Sequence, residues 1–317
     1  MSPGTGEKKF MVGLPSRPHR AGRRNWRRRR QAPMVLALLG PALTLVAVFV
    51  AAPVAYAVWL GFTDKTLIGF GARTTHFVGL ANYRSLLSSG DFLHSLNLTA
   101  EFIFFSAIVG QFLLGLLAAL LLTRTTVRLK GMFGAAILLP MVVPEVVASL
   151  AWASMLAPGT SGTLNRGVAA IGLTPISWLQ HYPMVSIIIV NAWRGIAFAM
   201  IMFQAAIEGI PQELIEAAHM DGAGAWKVTR YVMMPLIRGP VFLFLLLTTI
   251  TTGSVFGLIY FLTQGGPGQQ TEVTAIYIYD HSFRFFQLGL GSAASVILLA
   301  IILVLGVTYV RLSRVEV

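Results

Sequence analysis

The stretch Glu216-Ala217-Ala218-His219-Met220-Asp221-Gly222-Ala223 lies in a polar island spanning residues 210–239, followed within it by Pro235 and flanked by long apolar runs. The flanking runs decide the fold class. A helix needs roughly 20 residues to cross about 30 Å of hydrocarbon, and six runs are long enough: 34–60, 98–122, 132–156, 184–207, 241–262 and 288–310. Hydrophobic residues make up 56% of the chain, charged ones 11%, and the mean hydropathy is +0.73, outside the range of soluble globular domains. No segment alternates apolar and polar residues in the manner of a transmembrane barrel strand. The expectation is an all-α integral membrane protein with six transmembrane helices.

A net charge of +12 points at first toward nucleic acid, but the charge is sorted by topology. When loops are assigned alternately to the two sides, eighteen of the 24 Lys and Arg fall on one side: the tail from Lys8 to Arg30, Arg124, Arg128 and Lys130, the island residues Lys227, Arg230 and Arg238, and Arg311 and Arg314. Five fall on the other (Lys65, Arg73, Arg84, Arg166, Arg284), and Arg194 lies within a run. Both termini and the island are therefore expected in the cytoplasm, with no nucleic-acid partner. The tail Arg23-Arg24-Asn25-Trp26-Arg27-Arg28-Arg29-Arg30 has the composition to bind anionic lipid headgroups or RNA, but its position reads as a topogenic signal before the first span. Ala55-Tyr56-Ala57 looks like a peptidase site, but the apolar run before it is about twice the 7–15 residues of a signal-peptide core, so it reads as an uncleaved first span. The absence of cysteine excludes disulfides, thiolate chemistry and cysteine metal sites.

The island can be read from helix chemistry. Pro211 is tolerated at a helix start, Glu213 and Glu216 favour its positive end, and Ile210, Leu214, Ala217 and Ala218 give a short apolar face. Gly222 and Gly224 break the helix; a second one runs from about Ala225 to Tyr231 and is stopped or kinked near Pro235. Small residues at 217, 218, 222 and 223 admit a close-fitting partner, and Glu216 and Asp221 offer it acidic anchors. Elsewhere the segments around Phe77-Val78-Gly79-Leu80-Ala81-Asn82-Tyr83, 165–179 and Gly265-Gly266-Pro267-Gly268 set turn formers between short apolar patches, as ordered caps do.

Glu216-Ala217-Ala218, Asp221-Gly222-Ala223 and Pro235 thirteen residues after the glycine resemble the EAA loop of bacterial ABC importer permeases. Only Met234 departs, standing where that family often has Leu, a volume-conserving change. Phe77-Val78-Gly79-Leu80-x-Asn82-Tyr83, Asn165 with Ile176-Ser177-Trp178-Leu179, Trp193-Arg194, and Leu262-Thr263-x-Gly265-Gly266-Pro267 with Thr271 and Tyr277-Ile278-Tyr279 are similar to carbohydrate permeases of the maltose and glycerol-3-phosphate type. Within that branch the chain resembles the maltose-permease-like member of a heterodimeric pair. The resemblance implies a type I ABC importer permease fold in a bacterial inner membrane: a basic tail (1–33), then a permease domain (34–317, family core about 93–312) with its coupling loop at 210–239. It implies as partners a second homologous permease, two ATPase subunits and an extracytoplasmic solute-binding protein that delivers a sugar, a glycerol phosphate ester or a similar solute. The coupling residues it implies are Glu216, Ala217, Ala218, Asp221, Gly222, Ala223 and Pro235.

No Gly-x-x-x-x-Gly-Lys-Ser/Thr phosphate loop, His-Glu-x-x-His or Gly-x-Ser-x-Gly motif occurs, and six scattered histidines show no ligand spacing. The chain is expected to be no enzyme and to bind neither metal nor cofactor, ATP and Mg²⁺ belonging to the partner ATPases. Ionisable groups inside spans are costly and mark function. Glu145, after Pro140 and Pro144 that should bend the helix, lies mid-way along the third run and Arg194 mid-way along the fourth, at similar depth, so the two are expected to form an ion pair or share a water-filled cavity, either tying two helices or lining the solute path. Sugars need planar hydrogen-bonding groups and aromatic faces, which adds Asn191, Trp193, Trp152, Gln204, Thr252, Ser254 and Tyr260 as path candidates. Glu101 and Gln111 in the second run are open to the same reading or to plain contacts between helices. The competing function class is an ion-coupled secondary transporter that works through Glu145 and Arg194.

Overall fold

The computed structural model describes residues 39–123 and 130–314. The basic tail, the first residues of the expected first span, and Arg124 and Arg128 lie outside the described residues. By packing, the chain forms two units, Met1–Tyr56 and Ala57–Val317. The described part of the first unit belongs to helix α1 (Leu39–Gly61), 23 residues of span-like hydropathy, exposed along nearly all of residues 39–56.

The second unit carries α2 (Ala81–Ser88), α3 (Gly90–Thr123), α4 (Lys130–Val142), α5 (Glu145–Met155), α6 (Thr163–Ala170), α7 (Pro183–Glu208), α8 (Gln212–Met220), α9 (Ala225–Leu236), α10 (Arg238–Gly253), α11 (Gly257–Leu262), α12 (Thr274–Tyr279) and α13 (Leu288–Arg314). Among the described residues no strand forms, only an isolated bridge between Thr63 and Phe77. α1, α3, α7 and α13 are each long and apolar enough to cross a membrane, and two bent pairs bring the number of spans to six.

The structure sharpens one expectation, the bend of the third span, and changes the bounds of two other spans. The third span is two helices, α4 and α5, meeting at 106°. Pro144 cannot donate a backbone hydrogen bond and pushes its predecessor out of the helical region, so the chain starts again at Glu145. The fifth span is shorter than 241–262: α10 ends at Gly253 and α11 begins anew at Gly257. Before it, α9 and α10 meet at 75°. The second span begins earlier than expected, because Ser89 caps α3 by accepting from the Phe92 N–H at 3.4 Å and Asp91 sits in the first turn.

The interior is layered along the spans. One apolar cluster joins Leu98 and Phe102 of α3, Ile187 and Val190 of α7, and Leu258, Ile259 and Leu262 of α11. A second joins Ala119, Ala199, Phe203 and Ile207 to Val228 and Met233 of α9 and Phe244 of α10. Between them lies a polar layer of Ser106, Gln111, Asn191, Thr248 and Thr252, all buried. Apolar burial does not drive helices together in lipid, so close packing must. α3 and α7 achieve it: a Cβ on Gly115 would collide with the Ala199 methyl, and one on Gly195 with the Gln111 amide.

The loops at the end opposite α8 are ordered caps, as their turn formers suggested. Asn82 donates to the carbonyls of Gly61 (3.0 Å) and Thr63 (2.8 Å). Asn165, fully buried, donates to Ala157 O and Ile176 O and accepts from Ile176 N–H and Trp178 Nε1–H. Lys65 O accepts from Gly289 N–H (2.8 Å) and Phe286 O from Leu67 N–H (2.9 Å), which joins the first cap to the last.

Candidate functional site

Two places gather the chemistry: a cavity in the polar layer and the α8–α9 hairpin. The cavity, of about 440 Å³, is lined by Glu145, Arg194, Asn191, Gln111, Thr248, Thr251 and Thr252 among apolar side chains from Met141, Phe198 and Leu247. Its far wall is set by an unusual stretch of α3, a π-helical run over Ile103–Gln111. Bonding between residues five apart sets Gln111 above Ser106, where an α-helix would turn them to different faces. Gln111 then donates to Asn191 O at 3.2 Å and accepts from the Thr248 hydroxyl at 2.5 Å, while Asn191 Nδ2 donates to Ser106 Oγ at 2.9 Å. The network ties α3, α7 and α10 and leaves its polar edge on the cavity.

Arg194 and Glu145 face one another across this space, Nη1 to Oε2 at 3.7 Å, with about a quarter and a third of their side chains exposed. Asn191 and Thr252 share the cavity with them, so four of the nine path candidates converge. The other five do not line it. Trp152 and Trp193 stack edge to face at 5.5 Å. Tyr260 packs against Phe256 and Tyr279, and Ser254 bonds back to Ile250 O; Ser254, Phe256 and Tyr279 border a separate, apolar pocket. Gln204 lies near the α8 end of α7, donating to Glu208. Glu101 is half-buried in α3 and does not line the cavity either. Ser106 and Thr248 escaped the sequence reading: a lone Ser or Thr in a span carries no sign of which helix it faces, although Thr248 and Thr252, four apart, share one face.

The hairpin is built by local rules. α8 ends in a Schellman motif: Ala223 N–H bonds to Ala218 O and Gly222 N–H to His219 O, both at 3.0 Å. This requires Gly222 in the left-handed region, and its φ is +79°. Ile215, Ala218 and Ala223 then pack inward on Phe203, Ile207 and Val228. Glu216 accepts from Gln212 Nε2 at 3.0 Å, and with His219 and Thr229 it borders a groove of about 710 Å³. α9 runs on past Tyr231 and through Pro235 to Leu236, and the chain then bends by 75° into α10, the stop or kink near Pro235 that the sequence suggested. A π-helical turn over Thr229–Met233 widens the helix just where the proline ring meets the preceding turn.

The outward side of the hairpin is apolar at three points that sequence reasoning passed over: Met220 is 88% exposed, Trp226 76% and Tyr231 71%. Their residue types alone do not separate surface from core; only the helix rotation fixed by Ile215, Val228 and Met233 does. Ala217, Asp221 and Gly222 share this exposed side, while Pro235 is exposed at the end of α9.

Residues 111–315 match the family described as binding-protein-dependent transport system inner membrane component. The chain is 31% identical over 290 residues to the trehalose/maltose transport system permease protein MalF of Thermococcus litoralis, covering 90% of this chain and 95% of that one. It is 31% identical over 276 residues to the trehalose transport system permease protein SugA of Mycobacterium tuberculosis, covering 87% of each. A bacterial ABC transporter involved in the import of the acidic polysaccharide alginate superposes with a TM-score of 0.76 at 22% identity, over 92% of this chain and 98% of that one, a likeness of fold. The chain belongs to the family of binding-protein-dependent transport system inner membrane components.

Proposed function

We propose, from that membership, that this chain is the permease subunit of an ATP-driven importer for a sugar or sugar derivative. The observation that carries the reading is the hairpin: a short amphipathic helix closed by a left-handed glycine, with Ala217, Asp221 and Gly222 and the exposed Met220, Trp226 and Tyr231 turned away from the bundle, while Ala218 and Ala223 anchor it from within. The surplus of Lys and Arg supports a cytoplasmic position for it and for both termini. There it docks in a partner ATPase, which holds ATP and Mg²⁺. The basic tail 1–33 lies on the same side, and the permease domain fills 34–317. A second, homologous permease completes the pathway, and an extracytoplasmic binding protein delivers solute to the opposite end, where the Asn82 and Asn165 caps form a firm surface.

Closure of the ATPases moves α8, and because Ile215, Val228 and Met233 pack on Phe203, Ile207 and Phe244, the displacement enters α7 and α10 directly. These two helices carry Asn191, Arg194, Thr248 and Thr252, which line the cavity for solute. The names of the relatives support a disaccharide such as trehalose or maltose as the solute class. No observation favours an ion-coupled carrier: Glu145 already accepts the Leu258 N–H and faces Arg194, which leaves it poorly placed to exchange an ion.

The test is uptake of trehalose and maltose by the assembled complex in proteoliposomes. Wild type is expected to require enclosed ATP. Glu216→Lys, or Gly222→Asp, is expected to abolish uptake while the chain still inserts and assembles. Uptake independent of ATP removes the importer reading; normal uptake in both variants removes the hairpin as the coupling element.

A further inference from the structure

Two helices start in the middle of this membrane protein, and one side chain touches both. α5 begins at Glu145 itself, with Pro144 as its cap. α11 begins at Gly257, after the chain has left helical hydrogen bonding at Ser254. A helix start leaves backbone N–H groups without partners, and in hydrocarbon no water replaces them. Glu145 Oε1 accepts the N–H of Leu258 at 2.5 Å, across 113 residues of sequence. Its other oxygen, Oε2, lies 3.7 Å from Arg194 Nη1 on α7. Gly257 leaves room for this: a Cβ there would stand 3.1 Å from Glu145 Oε1.

We propose that Glu145 is a positioning residue, a clasp that holds the start of α11 against the start of α5 and thereby fixes the wall of the solute cavity. The clasp works through its acceptor oxygen. The carboxylate satisfies a backbone donor in the first turn of α11, two residues before Tyr260, whose N–H bonds back to Phe256 O. Its charge, shared with Arg194, turns the guanidinium toward the cavity rather than making the joint. Leu258 itself is wholly buried in the apolar cluster beyond the cavity, so displacement of its backbone shifts Ile187 and Val190 on α7 as well. The sharing of work between the two oxygens predicts that an uncharged acceptor of the same shape suffices for the joint.

This inference rests on the permease reading only for its consequence in transport; the joint itself is read independently. The chain contains no cysteine, so spin labels can be placed at Leu150→Cys on α5 and Phe261→Cys on α11, both exposed. In the assembled complex the label distance is expected to be narrowly distributed in wild type and in Glu145→Gln, whose amide oxygen still accepts from Leu258. It is expected to broaden in Glu145→Ala and in Gly257→Ala, and Gly257→Ala is expected to add nothing once Glu145 is alanine. Trehalose uptake by the same complexes is expected to fall about tenfold or more in Glu145→Ala and by less than about threefold in Glu145→Gln, as an orphaned buried donor costs far more than a lost partly exposed charge. A distribution in Glu145→Ala as narrow as wild type overturns the clasp, as does one in Glu145→Gln as broad as that of Glu145→Ala. Absence of wild-type uptake refutes the permease reading instead, and leaves the distance result to judge the joint.

Discussion

The two bends of this protein each lie within two residues of a proline, Pro235 before one and Pro144 at the other, and are built in opposite ways. Between α9 and α10 the chain bonds to itself across the bend: Ile237 N–H reaches Met233 O and Val241 N–H reaches Ile237 O, each four residues away. Between α4 and α5 the turn is sharper, 106° against 75°, and the side chain that follows it bonds to another span altogether. The difference follows from where each bend lies. A break at the end of a bundle can be closed by its own chain, whereas one within the bundle must be closed by its neighbours, and so becomes a joint between spans. The hairpin bend transmits motion as a preformed unit; the inner bend decides what that motion does to the cavity.

Three substitutions sharpen this contrast. The largest effect is expected at Gln111, the inner network's hub: Gln111→Ala leaves the Thr248 hydroxyl without its acceptor and removes the bond to Asn191 O, at a cost of about 1–2 kcal/mol, read as a lower melting temperature of the detergent-purified complex. An unchanged melting temperature would place the α3, α7 and α10 contacts in packing alone. A smaller effect is expected at Pro235. Pro235→Ala restores an N–H to a helix whose π-helical turn already accommodates the ring, so stability should change by less than about 1 kcal/mol and ATP-driven uptake should persist. Loss of uptake in this variant would show that the proline, rather than the packing of Met233 and Ile237, sets the outer bend.

The smallest effect lies outside both bends. Burial first, and then the charges of Asp280 and Asp91, push the Glu272 carboxyl above its ordinary value of 4.5. A group raised in this way favours the folded state while protonated, so its contribution is complete below 4.5 and is lost as pH rises through the folded value. Glu272→Gln should therefore flatten that part of the melting temperature's pH dependence, and leave both bends and the uptake rate as they are. An equally steep pH profile in the variant would assign the dependence to another group.

Much of this was legible in one dimension. Six apolar runs, the glycine bend at Gly222 and the pairing of Glu145 with Arg194 depend on hydropathy, on backbone chirality and on the cost of a charge in hydrocarbon, all of which act locally or by depth. Pro140 and Pro144 announced a bend but not its angle, because the angle depends on what the freed ends find; Leu258, which receives Glu145, lies far along the sequence in an apolar stretch that gives no hint of a helix start. The same limit hid Ser106 and Thr248, while Trp152, Trp193 and Tyr260, plausible sugar platforms by type, are engaged with other rings. Polarity and aromaticity show which residues can bind; rotation of each helix, set by packing, selects those that do. The motifs around Asn82 and Asn165 proved to be structural stitches in their own loops.

The close seam between α3 and α7 has a mechanical meaning. With Ala199 seated against Gly115 and Gln111 against Gly195, the two helices are keyed like a spline in its shaft. Sliding one past the other by a single residue, 1.5 Å, drives a methyl or an amide into backbone. The pair can tilt as one beam but cannot shear, so whatever strain the hairpin delivers is relieved at the segments that are already interrupted, on either side of Glu145.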